Sequence, residues 1–438
     1  MLIDHYERDS VFLSTLKNLA IKIDPELMEI DHILSDDTLF NLIKGDLSKR
    51  HRLTLKTGRN STPIEVILRM LAVKQLYNLS YEETEKRVKD SLSLRWFCRV
   101  YFKRVCDHST LIKWANVIRA ETLKAFNERV TVIATEVKVT KGRKLRTDGT
   151  VVETNVHYPT DSSLLKDGVK LLSRVFKKVR QNFTEIAQEV PQLFRDRFRS
   201  ARKFARRIEQ SASSKAKAAK EKLKACYSKL VEVGEASVEQ GQEMLSIIKE
   251  QSQQKAQELG QELQTLLGQM NQVLHQTTQR VFKGVYLPAQ EKLVSFFEPH
   301  TDIIKRGKAH KETEFGHKVW LDEVDGGIVS NWRVLKGNPS DDAQWKPSID
   351  KHIELFARPP NQASADRGVS SKDNEDWAKE KGVNRVILAQ RGNKSPERKA
   401  YEKQGWFKRG RHFHAGIEGR ISVLKRKHGL DRCLNKYR

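Results

Sequence analysis

The sequence predicts an α/β protein in three parts: an all-α N-terminal domain, a mixed sheet with flanking helices, and a long helical insertion that interrupts the sheet. Three observations predict it. Helix-start signatures crowd residues 62–114, and β-branched residues in strand-like runs occur at 144–152 and again from 313 onward. Between those runs, leucines recur among basic and glutamine-rich stretches, as in amphipathic helices.

Residues 1–55 have scattered apolar positions and read as short helices. From Thr62 the signals sharpen. Thr62-Pro63-Ile64-Glu65 has the form of a capping box with proline at the first helical position, and Ile67, Leu68, Leu71 and Leu76 follow at helical spacing. Ser80 to Glu83 repeats the box. Asp107 opens a third helix through Trp114, after a basic and aromatic stretch from Arg95 to Arg104. Such compact helical units often place one helix in the DNA major groove, which makes Arg99, Lys103, Arg104, Lys113 and Arg119 candidates for phosphate contact.

A β-branched run from Val130 to Val139 leads into Lys144–Val152, which alternates as a strand with Asp148 near its middle. After Asp161 the texture becomes helical to about residue 300. Basic clusters come first (Lys177-Lys178, Arg199 to Arg207), and then twelve glutamines lie between Ser237 and Arg280. Interleaved Leu245, Leu259, Leu263, Leu266, Leu267 and Leu274 make this tract a helical hairpin or coiled pair rather than disordered chain. From Thr313 strands return. Phe315–Glu323 and Ile328–Leu335 flank an Asp325-Gly-Gly327 turn as a β-hairpin, and Gly337 to Asp341 closes it and caps a helix through about Leu355. A short strand ends at Asp366, a helix runs from Ser371 to Lys381, Val383–Ala389 is another strand, and a last helix from about Phe413 to His428 ends at Gly429. The resulting segments are 1–130, 131–161, 162–305 and 306–438. With the insertion removed, the element order is that of a ribonuclease H-like fold.

The chain has 438 residues and a net charge of +25, with a pI near 9.8. Such a charge attracts polyanions, nucleic acid first among them. The four cysteines, Cys98, Cys106, Cys226 and Cys433, lack paired metal-ligand spacing, so neither a zinc module nor a disulfide scaffold is indicated. The opening residues are too polar for a signal peptide, and no apolar run approaches the ~20 residues that cross a bilayer. A cytoplasmic, nucleoid-associated protein with no membrane contact is the expectation.

Against that basic background, three segments each present one carboxylate: Leu145–Asn155 with Asp148, Ala363–Gly368 with Asp366, and Ala415–Lys425 with Glu418. Carboxylates that converge can hold Mg2+, which takes oxygen ligands, keeps several waters and needs no imidazole or thiolate. Two such ions about 3.5–4 Å apart activate the nucleophile and stabilise the leaving oxygen in phosphodiester cleavage. On the last helix, Lys425 lies two turns after Glu418 and position 414 one turn before it, so one stripe faces the site.

These residues resemble the bacterial insertion-sequence DDE transposases whose closing helix has a Tyr-Arg-Glu-Lys signature. The resemblance rests on an ordered set: the helical N-terminal part, Asp148–Asn155, His157–Ser163, Glu314–Lys318, Gly337–Asp341, Asp366-Arg-Gly368 and Gly416–Ile421. It implies that Asp148, Asp366 and Glu418 are the catalytic and metal-binding carboxylates, with Lys425 beside them. Two Mg2+ ions, with Mn2+ as a substitute, would be the cofactor. Arg411, His414 and Arg420 would contact DNA with Lys103, Arg104, Lys113 and Arg119. Implied partners are double-stranded DNA, as terminal inverted repeats and as target DNA, and a second copy of the chain in a homodimer. The insertion would contact DNA or the partner subunit. The family pattern has tyrosine at 411 and arginine at 414, where this chain has Arg411 and His414. It also continues into a further apolar helix where this chain stops, so a truncated or catalytically decayed copy that retains only DNA binding is the alternative expectation.

Overall fold

The computed structural model describes residues 1–50, 55–56, 58–211, 217–251, 253–305 and 312–434. The chain end at Asn435–Arg438, on which the expectation of truncation rests, lies outside the described residues. Among the described residues eight α-helices come first: α1 (Ser10–Asn18), α2 (Pro25–Leu34), α3 (Asp37–Leu47), α4 (Ile64–Leu76), α5 (Tyr81–Asp90), α6 (Leu92–Phe97), α7 (His108–Ala115) and α8 (Ala120–Glu136). Strand β1 (Lys144–Thr154) follows. Next are α9 (Asp161–Asn182), α10 (Thr184–Glu189), α11 (Phe198–Ser211), α12 (Lys217–Lys249) and α13 (Gln254–Val281). The last stretch holds β2 (Asp302–Lys305), β3 (Thr313–Val324), β4 (Ile328–Leu335), α14 (Trp345–Phe356), β5 (Gln362–Ala365), α15 (Lys372–Glu380), β6 (Arg385–Leu388), α16 (Pro396–Lys403) and α17 (Gly405–His428).

The chain forms two compact units, one from residues 1–152, 318–335 and 339–432, the other chiefly from 153–317. In the first, the strand order is β4-β3-β1-β5-β6. β3 and β4 are an antiparallel hairpin, whereas β1, β5 and β6 run parallel, with Thr147 opposite Ala365 and Ala365 opposite Leu388. Parallel strands buried on both faces read as small or apolar runs, and β5 (Gln-Ala-Ser-Ala) is buried along its whole length. The N-terminal helices belong to this same unit: α8 lies against β4, and the Asn127 amide donates to the Ser330 carbonyl at 3.0 Å.

The helix starts show which local signals survive packing. Ser80 forms the full capping box with Glu83, and Asp107 accepts from the Thr110 N–H at 2.9 Å. The box expected at Thr62 does not form. Helix α4 begins one residue later, after Pro63, and its first amides are taken by the chain start, Ile64 N–H by the Ile3 carbonyl at 3.0 Å and Glu65 N–H by the Asp4 carbonyl at 3.2 Å. With the cap supplied from elsewhere, Glu65 accepts from the Arg69 guanidinium at 3.0 Å instead. Arg69 is fully buried, and an unpaired buried charge would be strongly destabilising, so Glu65 and Asp31 together neutralise it.

The β-branched run after Val130 is helical up to Glu136, as the end of α8. Thr131 and Thr135 return their hydroxyls to the carbonyls four residues back, both at 2.9 Å, which removes the usual competition with the helix. Asp341 makes no side-chain cap; its carboxylate pairs with Lys318 at 2.7 Å. The last helix begins at Gly405, eight residues before the expected start, with α16 ahead of it.

The second unit is a helical bundle of α9, α11, α12 and α13 around one apolar core that includes Leu165, Leu172, Leu230, Leu263 and Met270. The glutamine-rich tract is therefore two packed helices. Strand β2 pairs antiparallel with the first residues of β3, Asp302 opposite Gly316. No helix among the described residues is long and apolar enough to cross a membrane.

Candidate active site

Register decides where the first two carboxylates go. Thr147 and Ala365 are the last pair of the parallel β1–β5 ladder, so Asp148 and Asp366, one residue further along each, come side by side where that ladder ends, Asp148 midway along β1 and Asp366 just past β5. Open parallel sheets place their reactive groups there. Helix α17 brings the third. It lies on β5 and β6 through buried Phe407, Gly410 and Ile417, at steps of three and seven. A Cβ at Gly410 would sit 2.5 Å from Ile387, and one at Gly416 would sit 2.2 Å from Arg146, so both glycines permit the close approach. Glu418 follows Ile417 directly.

Asp148, Asp366 and Glu418 line one cavity of about 160 Å³, together with Arg367, Arg411 and His414. Asp148 is half-buried and accepts from the Gly149 N–H at 2.7 Å; Asp366 and Glu418 are exposed. The donor set suits Mg2+ in kind, three carboxylates and no thiolate. In spacing it is more open than a closed cage: among the described residues no three histidine, cysteine or acidic side chains are grouped closely enough to hold a metal ion. Burial pushes the His414 imidazole below its ordinary value; Arg146 and Arg411 act in the same direction and Asp366 opposes them. Its Nδ1 is buried with no hydrogen-bond partner among the described residues. A neutral imidazole is therefore the form that faces this cavity near pH 7.

The cavity is held from behind by an ion network that the linear motifs do not announce. Glu323, fully buried on β3, accepts from the Arg146 guanidinium at 2.6 and 3.0 Å. Arg146 also donates to the Phe413 carbonyl and lies over the Phe413 ring, with 4.7 Å to its centroid. One arginine thereby joins β1 to α17 on either side of the carboxylates. A signal was present in the sequence: residues two apart on a strand share a face, and Arg146 precedes Asp148 by two. Arg420 approaches Glu323 at 3.4 Å.

The Lys425 ammonium donates to the Val151 carbonyl at 2.8 Å, three residues along β1 from Asp148, and lies two turns after Glu418 on α17. Among the N-terminal cations, Lys103, Arg104 and Lys113 are exposed, with the Lys103 ammonium 4.2 Å from the Tyr6 ring centroid. Arg119 is half committed, bonding buried Asp46 at 2.7 Å. Arg99 is fully committed: it grips both oxygens of Asp31 at 2.6 and 2.9 Å, so it supports the helical core rather than a surface.

Comparison with known proteins adds one match. Residues 20–116, from just before α2 to the end of α7, match a family described as a transposase domain, DUF772. No curated protein matches the chain. No solved structure matches it either. The likeness lies in the N-terminal helices, and it supports a transposase family for this chain.

Proposed function

We propose that the protein is a DDE transposase that binds the terminal inverted repeats of a mobile element, cuts at its ends and joins them to target DNA. The observation that carries this reading is the cavity where Asp148, Asp366 and Glu418 meet, in a chain whose N-terminal helices match a transposase domain. The strand order β4-β3-β1-β5-β6, with β1, β5 and β6 parallel and β3-β4 a hairpin, supports a ribonuclease H-like catalytic domain.

In this reading Asp148, Asp366 and Glu418 would hold two Mg2+ ions, or Mn2+ in their place, once drawn closer than they stand here, and the ions would supply an activated nucleophile and stabilise the leaving oxygen. Arg367 and Arg411 orient the scissile phosphate through fixed guanidinium forks. His414, kept neutral by burial, offers a hydrogen bond without drawing the carboxylates into ion pairs. Lys425, two turns after Glu418 on the same helix, stands beside the carboxylates as the fourth site residue, and Arg420 contacts DNA from α17 while near Glu323. Lys103, Arg104 and Lys113 position the duplex on the N-terminal helices, and Arg119 does so while tied to Asp46. Two ends must be handled together, so a homodimer on DNA is the working form, on the nucleoid in the cytoplasm.

A second reading, a decayed copy that occupies its repeats without cutting, is favoured by Arg411 and His414, which stand where the family pattern has tyrosine and arginine. Labelled element ends incubated with Mg2+ separate the two. Cleavage by the wild type that is lost, with end binding retained, in Asp148→Ala, Asp366→Ala and Glu418→Ala is the expected result. Cleavage that survives any one of these substitutions sinks the site assignment; end binding without wild-type cleavage in Mg2+ or Mn2+ establishes the second reading.

A further inference from the structure

The helical bundle divides its charge unevenly. Residues 170–207, spanning most of α9 to most of α11, carry twelve lysines and arginines against three acids, whereas residues 217–281, which form α12 and α13, carry eight of each. Both halves build the same apolar core, so packing does not account for the split. On α11 the buried residues are Ala201, Ala205 and Ile208, and Arg199, Arg202, Lys203, Arg206 and Arg207 are exposed. Steps of three and four keep these five on one stripe, about 12 Å long at 1.5 Å per residue.

Two bundle cations are paired with an acid on a neighbouring helix, Lys178 with Glu262 at 2.8 Å and Arg280 with Asp161. The five on α11 make no ion pair with any described residue. Beside them, Lys177, Arg180 and Arg195 line a groove of about 670 Å³ between the C-terminal half of α9 and the segment entering α11. The acid in that groove, Asp196, accepts from the Ser173 hydroxyl at 2.9 Å and the Phe198 N–H at 2.8 Å, which holds its charge at the start of α11. Unpaired like charges at helical spacing repel, and a polyanion relieves that repulsion while releasing its own counterions.

We propose that this face of α11, continued by the α9 groove, is a second DNA surface that grips the duplex backbone without reading bases. Cations on phosphates position a duplex but carry no sequence information. A membrane-surface helix would set exposed tryptophan, phenylalanine or leucine beside its cations, whereas the apolar side of α11 is buried in the bundle. The inference rests on the reading that DNA is the partner and adds where, apart from the catalytic cavity, it is held.

The test uses the full chain and a 30-base-pair duplex of unrelated sequence, with affinity measured by fluorescence anisotropy across a KCl series. Each phosphate neutralised adds roughly 0.9 to the slope of log affinity against log salt. Replacing Arg199, Arg202, Lys203, Arg206 and Arg207 together by glutamine, which keeps the helix, should lower that slope by about 3 to 4.5, the equivalent of roughly three to five phosphates no longer neutralised. Lys249 at the end of α12 and Lys255 at the start of α13, changed to glutamine as a control, should alter it by less than about 1. An unchanged slope in the α11 variant, with helical circular dichroism intact, overturns the inference and leaves the catalytic reading standing. Tighter binding to phosphatidylserine vesicles than to the duplex also overturns it. A wild-type chain that binds no duplex at low salt overturns both readings at once.

Discussion

Glu323→Gln is the sharpest test of how α17 is held over the sheet. The substitution keeps shape and removes the charge that faces Arg146 at 2.6 and 3.0 Å, at a site where the carboxylate is fully buried and the guanidinium is 12% exposed. Charge-assisted hydrogen bonds contribute about 1.5–3 kcal/mol each, and the glutamine oxygen can still accept one of the two. Removing one partner of a buried pair costs about 3–5 kcal/mol, because the other charge stays behind unneutralised. Arg420, half-exposed and 3.4 Å away, is screened by water and adds little. The expected loss is therefore about 3 kcal/mol, which at ~2–4 °C per kcal/mol for a unit of this size lowers Tm by roughly 6–12 °C. Circular dichroism melts, with a urea titration to check the m-value, measure it. Arg146→Met combined with Glu323→Leu should cost less than Glu323→Gln alone, since the pair then leaves together. A Tm for Glu323→Gln within about 2 °C of wild type, or a double variant as unstable as the single, would refute the reasoning.

Two further outcomes follow from local structure. Ser80→Ala should lower stability by about 1 kcal/mol, because that capping box is formed, while Thr62→Ala should change it by only a few tenths, because α4 takes its cap from the Ile3 and Asp4 carbonyls; paired urea titrations distinguish the two. His352 is buried, donates from Nε2 to the Gly142 carbonyl at 3.0 Å, and is pushed down to about 4 by that burial. Its folded pKa lies below the unfolded value near 6.5, so the unfolded chain takes up the proton first and stability falls as pH drops from about 6.5 towards 4. The loss should be about 2 kcal/mol between pH 7 and 5, and His352→Gln should remove that portion of the pH dependence; an unchanged pH profile in the variant would count against the assignment.

The order of strands and helices was legible because each element carries its own pattern: alternation in 144–152, a Gly-Gly turn at 326–327, leucines through the glutamine tract. What escaped the sequence was supplied by distant residues. Nothing near Thr62 announces that the chain start will occupy the amides it would have capped. Arg99 reads as a surface cation until Asp31, 68 residues earlier, is brought to it. The sequence pattern starts the final helix late because Trp406 and Phe407 sit among cations and lack a periodic frame; in the fold they are the pair that packs with Tyr401. Of the candidate site, the three carboxylates were visible through their motifs. Arg146 shares the strand face of Asp148 in the pattern, but its pairing with Glu323 was not legible, since that contact spans 177 residues.

The place of β1 in the sheet also sets a schedule for synthesis. Both of its neighbours, β3 and β5, are encoded after the bundle, so β1 leaves the ribosome some 158 residues before the first residue of β3 exists. At about 5–20 residues per second that interval is roughly 8–30 s. Through it, a strand destined for the middle of a sheet presents two open edges, the condition that favours pairing with other chains. Arg146 and Asp148, with Lys144 and Glu153 towards the two ends, are the charges that interrupt this otherwise sticky run, so residues that later line or brace the cavity also guard the nascent strand.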